Sequence, residues 1–343
     1  DLAGNRFTVV MRGCEGGDLA AVADVMGGGG FVNYFGEQRF GMRRDNHLVG
    51  IRAMRGEWEE ACAVVLRKGE GDYGRVKEFR EVWERERRKA AEADPDGKAG
   101  KGTPLAEAAD RTMRSAAADA RGVQYEKVML GRVAAGGTWE DAYRAVKAPM
   151  RLMFLHSVQS LAWNRAVSSR FADGVAVEAG DYVMVVDEGR PTEGKGKLRD
   201  GKVVVRVGEG EEDKYKKEDL VMPLPGTGIS LEGRVKKVYD DVLAGMGLSW
   251  KDFKTDEKET TLGGDWRRVV ASFGNPRHKV VKYSDPRAIL SDSELVTEEV
   301  AEDPEGDLSA VVVSFDLPPS SYATVGIREL CKGGVREWRE ESA

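Results

Sequence analysis

The sequence has few residues suited to metal binding or redox chemistry. Its 343 residues include three cysteines and three histidines, and neither set shows a spacing that holds a metal ion. Cys14, Cys62 and Cys331 are far apart, odd in number and form no Cys-x-x-Cys pair. This cysteine usage is typical of a reducing compartment, so we expect the protein in the nucleus, the cytoplasm or both.

Several familiar signatures are also absent. No apolar run approaches the length of a membrane span and no signal peptide is recognisable, so we expect no membrane partner. The glycines at 27–30 lack the Gly-x-Gly-x-x-Gly order, and the Gly-Lys-Gly-Lys segment around Lys195 lacks the spacing of a phosphate loop. No Gly-x-Ser-x-Gly elbow accompanies His156 and Ser157, and we interpret His156 as a helix-packing residue rather than a base. The chain begins with Asp1 rather than methionine, so we expect it to be part of a longer polypeptide.

Hydrophobic and charged residues are both plentiful. Hydrophobic residues make up 41% and charged residues 33% of the chain, and the net charge is −6. The length indicates two domains, and the apolar content is sufficient for a core. The acidic balance argues against strong nonspecific affinity for nucleic acid, although a local basic groove is compatible with it.

Periodic apolar residues predict several helices. They cover residues 18–26, 57–68, 72–93, 151–173 and 235–247, and a last helix runs from a cap at Ser320 or Ser321 to Gly333 and Gly334. The helix at 72–93 has an apolar face made of Val76, Phe79, Val82 and Trp83. Its mixed charges indicate a solvated face rather than an RNA-binding stripe. We interpret Trp163 as a core residue.

Runs of β-branched residues predict the strands, and charged runs predict the insertions between elements. The strands are expected at residues 6–12, 181–189, 201–210, 267–273, 278–284 and 310–317. Polar insertions are expected near 95–104, 187–220 and 291–307. Residues 187–220 hold ten acidic and nine basic residues, which predicts a solvated, poorly ordered segment. Residues 291–307 hold eight acidic residues and no basic one, which predicts a loop or a disordered segment.

The stretch FVNYFGEQRFG, residues 31–41, combines aromatic rings with polar side chains directly after four glycines. Its phenylalanines are compatible with the core of a strand-loop-strand in which the glycines permit tight turns. The pattern alone favours this core interpretation, and a functional one also stays open, because flexible loops often carry sites and because Asn33, Gln38 and Arg39 stand among the aromatics. A stacking ring beside an amide and a guanidinium suits a flipped nucleotide.

Six blocks in a fixed order carry a family resemblance. They are DLAGNRFTVVMR at 1–12, FVNYFGEQRFG at 31–41, RLMFLHSVQSLAWNRAVSSR at 151–170, VMPLPG at 221–226, GDWRRVV at 264–270 and FDLPPSSYATVGIREL at 315–330. In these blocks the chain resembles the TruD-type RNA pseudouridine synthases, most of all their eukaryotic pseudouridine synthase 7 group. The shared order is more specific than the NYFG tetrapeptide alone.

The resemblance implies an isomerase that detaches uracil from its ribose, rotates it and rejoins it through C5. It implies RNA as the partner, with tRNA first and other RNAs possible, and a target uridine that is flipped out of its stack. It also implies that no cofactor and no metal take part. We expect the protein to act as a monomer.

The resemblance further implies an α+β fold in which a large domain is inserted into the catalytic one. Residues 1–58 and 308–343 are expected to form the C-terminal portion of a discontinuous catalytic domain with a mixed or antiparallel sheet. Residues 59–307 are expected to form the inserted TRUD domain. The strands at 6–12 and 310–317 are therefore predicted to lie in one sheet.

Site residues follow from the same resemblance. Phe35 is expected to stack on the flipped base, and Asn33 to position the catalytic carboxylate. The further RNA-binding residues that the resemblance implies are Gln38, Arg39, Tyr322 and Arg328.

One family motif is missing from the chain. The nucleophilic aspartate of the family lies in a Gly-x-Lys-Asp motif upstream of the first block, and this motif does not occur in the 343 residues. The conserved N-terminal lysine of the family is missing as well. We therefore expect this chain alone to be inactive. The alternative is a non-catalytic module that binds structured RNA, and the upstream sequence would separate the two.

Overall fold

A computed structural model describes residues 4–13, 26–27, 30–97, 99–186, 202–255, 260–290 and 303–331. The helix predicted at 18–26 lies almost entirely outside these ranges, as do Gly333 and Gly334 and most of the acidic segment at 291–307. No helix within the described ranges is long and apolar enough to cross a membrane.

The chain divides into two compact units. The first contains Asp1–Gly36, Gly174–Met222 and Arg267–Ala343, and the second contains Glu37–Asp173 and Pro223–Trp266. These boundaries differ from the predicted division at residues 59 and 307. The difference has a packing reason: residues 37–58 include a helix that packs within the second unit, while strands near 182–222 and 267–283 pack within the first.

The first unit is built on a three-stranded antiparallel sheet. β1 (Asn5–Arg12) pairs with β9 (Leu308–Leu317), and β9 pairs on its other edge with β8 (Gly274–Tyr283). The register joins Asn5 to Leu317 and Arg12 to Ala310. The prediction that the strands at 6–12 and 310–317 share one sheet is confirmed.

Side-chain alternation gives this sheet two different faces. On one face, Val9, Val313 and Phe315 pack against Phe31, Phe273 and the helix Ala323–Leu330. On the other face lies a smaller cluster that contains Val10, Val281, Tyr283, Leu290, Ala310 and Val312.

The predicted cap of the last helix is wrong. Tyr322 occupies the N-cap position and makes no side-chain cap bond, and the Ser321 hydroxyl is buried without a hydrogen-bond partner among the described residues. Pro318 and Pro319 lead into a turn in which the Ser321 amide bonds the Pro318 carbonyl, so the helix starts later than either serine.

Two smaller sheets complete the strands. β2 (Phe31–Val32) pairs with β7 (Val270–Ala271), and a four-stranded sheet has the order β4-β3-β5-β6. Its strands are β3 (Tyr182–Val186), β4 (Lys202–Arg206), β5 (Leu220–Leu224) and β6 (Asp265–Arg268).

The prediction of a poorly ordered segment at 187–220 is wrong for residues 202–220. These residues contain β4 and two 3-10 turns, Glu212–Lys214 and Lys217–Asp219. Val203, Val204 and Val207 are buried, so the apolar side chains hold the segment although charges surround them.

The second unit is helical. Its helices are α1 (Asn46–Met54), α2 (Trp58–Leu66), α3 (Gly74–Ala93), α4 (Pro104–Met113), α5 (Gln124–Ala134), α6 (Trp139–Ala145), α7 (Ala148–Arg170) and α8 (Gly233–Gly245); the helix Ala323–Leu330 of the first unit is α9. The predictions for α2, α3, α7 and α8 are confirmed, and Trp163 is fully buried on α7 as expected. Residues 94–103 form the predicted polar linker up to Thr103, whose side chain caps α4.

The charged helix α3 is less solvated than predicted. Phe79 and Trp83 are buried as expected, but Arg80 is also buried, at 7% exposure. Its guanidinium donates to Asp72 and, over 2.5 Å, to Oε1 of Glu126. Arg80 therefore links α3 to α5 inside the unit rather than facing water.

Candidate active site

The stretch at residues 31–36 enters the first unit as a short strand. Phe31 and Val32 pair with β7, and the Asn33 amide donates to the Val269 carbonyl over 2.8 Å. Gly30 has φ +73°, and a side chain there would collide with the Ala271 carbonyl. The glycine is therefore required by the close approach of the two strands.

A buried arginine holds Asn33. Arg267 on β6 donates from Nε and Nη2 to the Asn33 carbonyl, over 3.0 and 2.7 Å, and from Nη2 to Asn33 Oδ1 over 2.9 Å. Asn33 Nδ2 donates to the Arg268 carbonyl over 3.3 Å. Because Oδ1 accepts from a guanidinium and Nδ2 donates to a carbonyl, the orientation of the amide is determined. Asn33 and Arg267 are 5% and 7% exposed.

The same guanidinium reaches two further segments. Arg267 Nη1 donates to the Ser320 carbonyl over 2.7 Å, and its Cζ lies 4.0 Å from the centroid of the Phe35 ring. These distances join Arg267 to neutral oxygens and to one face of an aromatic ring. Arg267 thus joins the stretch at 31–36, strand β6 and the turn before α9.

Tyr322 completes the cluster around Phe35. The two ring centroids are 6.1 Å apart in an edge arrangement with an interplanar angle of 62°. A Cβ at Gly36 would lie 2.8 Å from Tyr322 Cδ1, so a glycine is needed where the chain passes this ring. Phe35 is 7% exposed, with Arg267 over its ring and Tyr322 in an edge contact. We refer to Asn33, Phe35, Arg267 and Tyr322 as the Phe35 cluster.

The other expected site residues lie elsewhere. Arg328 is on α9 with an exposed side chain. Gln38 and Arg39 are on the 3-10 turn Glu37–Phe40, which belongs to the second unit and packs on α7. Within the described ranges, no group of three or more His, Cys, Asp or Glu residues is arranged to hold a metal ion.

Arg267 is the residue that sequence reasoning missed. It lies in the block GDWRRVV, which was noted only for its strand pattern and its place in the family order. The available signal was an arginine at the start of a predicted strand run that continues with Val269 and Val270, because a charge within such a run must find partners or face water.

Residues of two further family blocks, 151–170 and 221–226, are hydrogen-bonded to each other in the helical unit. Gln159 on α7 donates from Nε2 to the carbonyls of Pro225 and Gly263, over 2.7 and 3.1 Å. Its Oε1 therefore faces His156 Nδ1, 2.8 Å away, and Nδ1 must carry the proton. The packing interpretation of His156 is wrong, because its side chain is exposed and held by Gln159 at one ring nitrogen.

Comparison with known proteins identifies the family. The family model of tRNA pseudouridine synthase D (TruD) matches residues 1–100 and 103–330. The chain therefore belongs to the TruD family.

Individual relatives agree with this assignment. "Pseudouridylate synthase 7 homolog" of Homo sapiens is 28% identical over 342 residues, which cover 97% of this chain and 46% of that protein. "Probable tRNA pseudouridine synthase D" of Halobacterium salinarum is 30% identical over 354 residues, covering 97% and 68%. The chain thus spans about half the length of the human relative.

A solved structure supports the fold. A Methanosarcina mazei protein, crystallised under the description of a tRNA pseudouridine synthase D (TruD), matches with a TM-score of 0.68 and 22% identity. The match covers 97% of this chain and 70% of that one. The α+β fold class expected from the sequence is confirmed.

Proposed function

We propose that this chain carries the base-binding part of an RNA pseudouridine synthase that converts uridine to pseudouridine, with tRNA as its first substrate. The observation that supports the proposal is the Phe35 cluster: a buried aromatic ring, an oriented amide and a buried cation in a member of the TruD family. No metal or cofactor is needed for the chemistry proposed.

The reaction is an isomerisation in which atoms balance without a co-reactant. The C1′–N1 bond of uridine breaks, the uracil rotates, and a C1′–C5 bond forms. C5 then loses its proton to solvent, and N1 ends with a proton. The target base has to leave its stack, which costs a few kcal/mol and makes an aromatic wall useful.

The cluster assigns a role to each side chain. The Arg267 guanidinium covers one face of the Phe35 ring, so we assign base stacking to the opposite face. Arg267 holds the Asn33 amide in one orientation, and we assign to Asn33 the positioning of the catalytic carboxylate. Tyr322 supports the ring from its edge.

We extend the proposal to the whole chain. The first compact unit, which holds the Phe35 cluster, represents the catalytic domain, and the helical second unit represents the inserted domain. Gln38, Arg39 and Arg328 are assigned to the RNA backbone. We propose a monomer that acts in the nucleus, the cytoplasm or both, as the eukaryotic relatives and the scattered cysteines suggest.

Release of tritium tests the reaction. Unmodified tRNA labelled with tritium at uridine C5 is incubated with the 343-residue chain and with any longer natural form of it. Because C5 loses its proton, an active synthase releases tritium, and chemical mapping locates the pseudouridine.

The two candidate functions give different results. No Gly-x-Lys-Asp motif occurs in the chain, so we expect no product from these 343 residues alone. A longer form that contains the motif should release tritium at one position. If every form binds tRNA but none releases tritium, the chain is a structured-RNA-binding module and the enzyme assignment fails.

A further inference from the structure

His156 on α7 has no role in the proposed isomerisation, yet its ring is exposed and held at one nitrogen. Nδ1 lies 2.8 Å from Oε1 of Gln159. Within the described ranges no hydrogen bond is made by Nε2 of this ring. One ring nitrogen is therefore used inside the protein, and the other is open to a partner from solution.

Gln159 holds the ring from a buried position. It is 3% exposed, and its Nε2 donates to the carbonyls of Pro225 and Gly263 over 2.7 and 3.1 Å. The opposite orientation of this amide would place Oε1 against two carbonyl oxygens, which are acceptors as well. The amide is therefore fixed, and its Oε1 accepts the proton that Nδ1 of His156 carries.

The two carbonyls that fix Gln159 belong to segments bonded to each other. The Thr227 amide donates to the Leu262 carbonyl over 2.8 Å, and the Gly264 amide donates to the Thr227 carbonyl over 2.9 Å. A Cβ at Gly226 would lie 2.5 Å from the carbonyl carbon of Gly263, so the backbones approach more closely than a side chain permits. Backbone hydrogen bonds thus build a firm support for Gln159.

The fixed tautomer decides what Nε2 of His156 can bind. In the neutral ring, a proton on Nδ1 leaves Nε2 with a lone pair that accepts a hydrogen bond. Phosphate oxygens are acceptors too and do not suit it. The donors of RNA are the base N–H groups, which pairing occupies in a helix, and the ribose 2′-hydroxyl, which the wide and shallow minor groove displays.

We propose that Nε2 of the neutral His156 ring accepts a hydrogen bond from a ribose 2′-hydroxyl of the RNA. Gln159 is the positioning residue that holds the ring for this contact. DNA lacks the hydroxyl, so the contact favours RNA over DNA. The inference rests on the proposed function and adds to it a residue that selects the sugar of the substrate.

A cycle that combines a protein variant with an RNA variant tests the contact. We would measure the affinity of the wild-type chain and of His156→Ala for an unmodified tRNA transcript. The same proteins are then titrated with transcripts of the same sequence in which one helical segment at a time carries 2′-deoxyribose. A hydrogen bond between uncharged groups corresponds to about a two- to tenfold change in affinity. We expect one segment whose substitution weakens binding by this factor in the wild type and not in His156→Ala.

Three further variants give this result its controls. His156→Gln offers an amide oxygen as an acceptor and should retain the wild-type response to the 2′-deoxy segment. Ser169→Ala removes an exposed hydroxyl from the same helix and should respond as the wild type does. Gln159→Met removes the hydrogen bond to the ring, so its affinity ratio for the two RNAs should fall to that of His156→Ala. The thermal unfolding midpoints are measured in parallel, and a loss of stability alone does not change that ratio.

Two results would overturn the contact. The first is the same loss of affinity in the wild type and in His156→Ala for every 2′-deoxy segment, which would leave a base donor or no RNA group as the partner. The second is a change in salt dependence. A neutral ring displaces no counterion, so the slope of log K against log[salt] should be equal in both proteins. An imidazolium bound to a phosphate would instead make the slope of His156→Ala shallower by about 0.7 to 0.9.

Tritium release is scored separately from binding, so the contact and the proposed function fail in different ways. If a form that makes pseudouridine shows no coupling between His156 and any 2′-deoxy segment, the contact is wrong and the enzyme remains. Coupling without product in any form supports the contact and removes the enzyme. If the chain does not bind the transcript at all, the contact is overturned whatever the tritium assay shows.

Discussion

Two roles are open for Phe35: packing in the core of the first unit and stacking on a flipped base. Its ring is 7% exposed and contacts both Arg267 and Tyr322, as a core residue would. The same ring stands where a base-stacking aromatic is expected. The variant Phe35→Ala cannot distinguish core packing from base stacking, because removing a buried phenylalanine costs about 3–5 kcal/mol of stability whatever its function.

Phe35→Leu and Phe35→Tyr separate them. Leucine keeps an apolar side chain of similar size, so the free energy of unfolding should fall by less than about 1.5 kcal/mol. It removes the π-face, which is worth about 1–3 kcal/mol per stacked base. We expect turnover of an active form to fall roughly ten- to a hundredfold in Phe35→Leu and little in Phe35→Tyr. Equal turnover in the two variants at similar unfolding midpoints would contradict the stacking role.

At the residue scale, the sequence identified the aromatic and the amide but not their arginine. Asn33 and Phe35 stand two positions apart in a recognisable motif, whereas Arg267 is 234 positions from Asn33 along the chain. Residues so far apart in sequence come into contact here through strand pairing, and no local sequence pattern predicts which strands pair. The mixed-charge face of α3 shows the same limit, because the partners that bury Arg80 were not visible in the helix itself.

At the element scale, strong patterns were read correctly and weak ones were not. β1 and β9 have clear β-branched runs, α2 and α7 have clear apolar periodicity, and the structure confirms all four. The helices α1, α4, α5 and α6 were not predicted. The buried face of α4 is made mainly of Ala106, Ala108 and Ala109, which are small and weakly hydrophobic, and α6 spans only seven residues, so neither gives a strong apolar pattern in the sequence. Packing against neighbouring helices stabilises them instead.

The ion pair between Arg6 on β1 and Asp316 on β9 predicts a pH dependence of stability that can be tested. Hydrogen bonds from Arg6 and Asn275 lower the pKa of Asp316 to about 2. A pKa depressed in the folded state gives a stabilisation that is complete above the unfolded value, near 4, and is lost as pH falls toward 2. We expect a carboxyl-carbon NMR titration of Asp316 with a midpoint near 2 in the wild type.

Removing Arg6 provides the comparison. In Arg6→Gln, the midpoint of Asp316 should move up toward its ordinary value. Thr8→Val, a change on the same strand that leaves the charges in place, should keep the low midpoint. A midpoint near 4 in the wild type would show that the pair does not form between the two strands in solution.

At the scale of the whole molecule, the first unit is assembled from distant parts of the chain. Arg6 and Asp316 are 310 positions apart, yet they lie in paired strands. In the second unit, several helices pack against their neighbours in sequence, as α3 does with α4 and α5 does with α6, although α1 packs on the distant α7. The packing of α3 on α4 and of α5 on α6 thus joins residues much closer in sequence than the pairing of β1 with β9 does.

This difference predicts an order of folding. Long loops must close before β1 and β9 can pair, so their hydrogen bonds should form after those of the local helical contacts. In pulse-labelling hydrogen exchange during refolding, we expect the amides of Leu130 and Val133 to gain protection before those of Val311 and Val313. Protection of β9 in the same phase as α5, or earlier, would contradict this order.

The sequence by itself determined the family, the fold class and the main strands and helices, because ordered motifs and local periodicities are written in neighbouring residues. It also singled out residues 31–41 as a candidate base-binding loop. Only the tertiary structure decided where the compact units divide, that residues 202–220 are ordered beyond the predicted strand at 201–210, and that Arg267 lies against Phe35. Those features depend on pairings between residues far apart in the chain, where the free energy comes from burial and hydrogen bonds that exist only after folding.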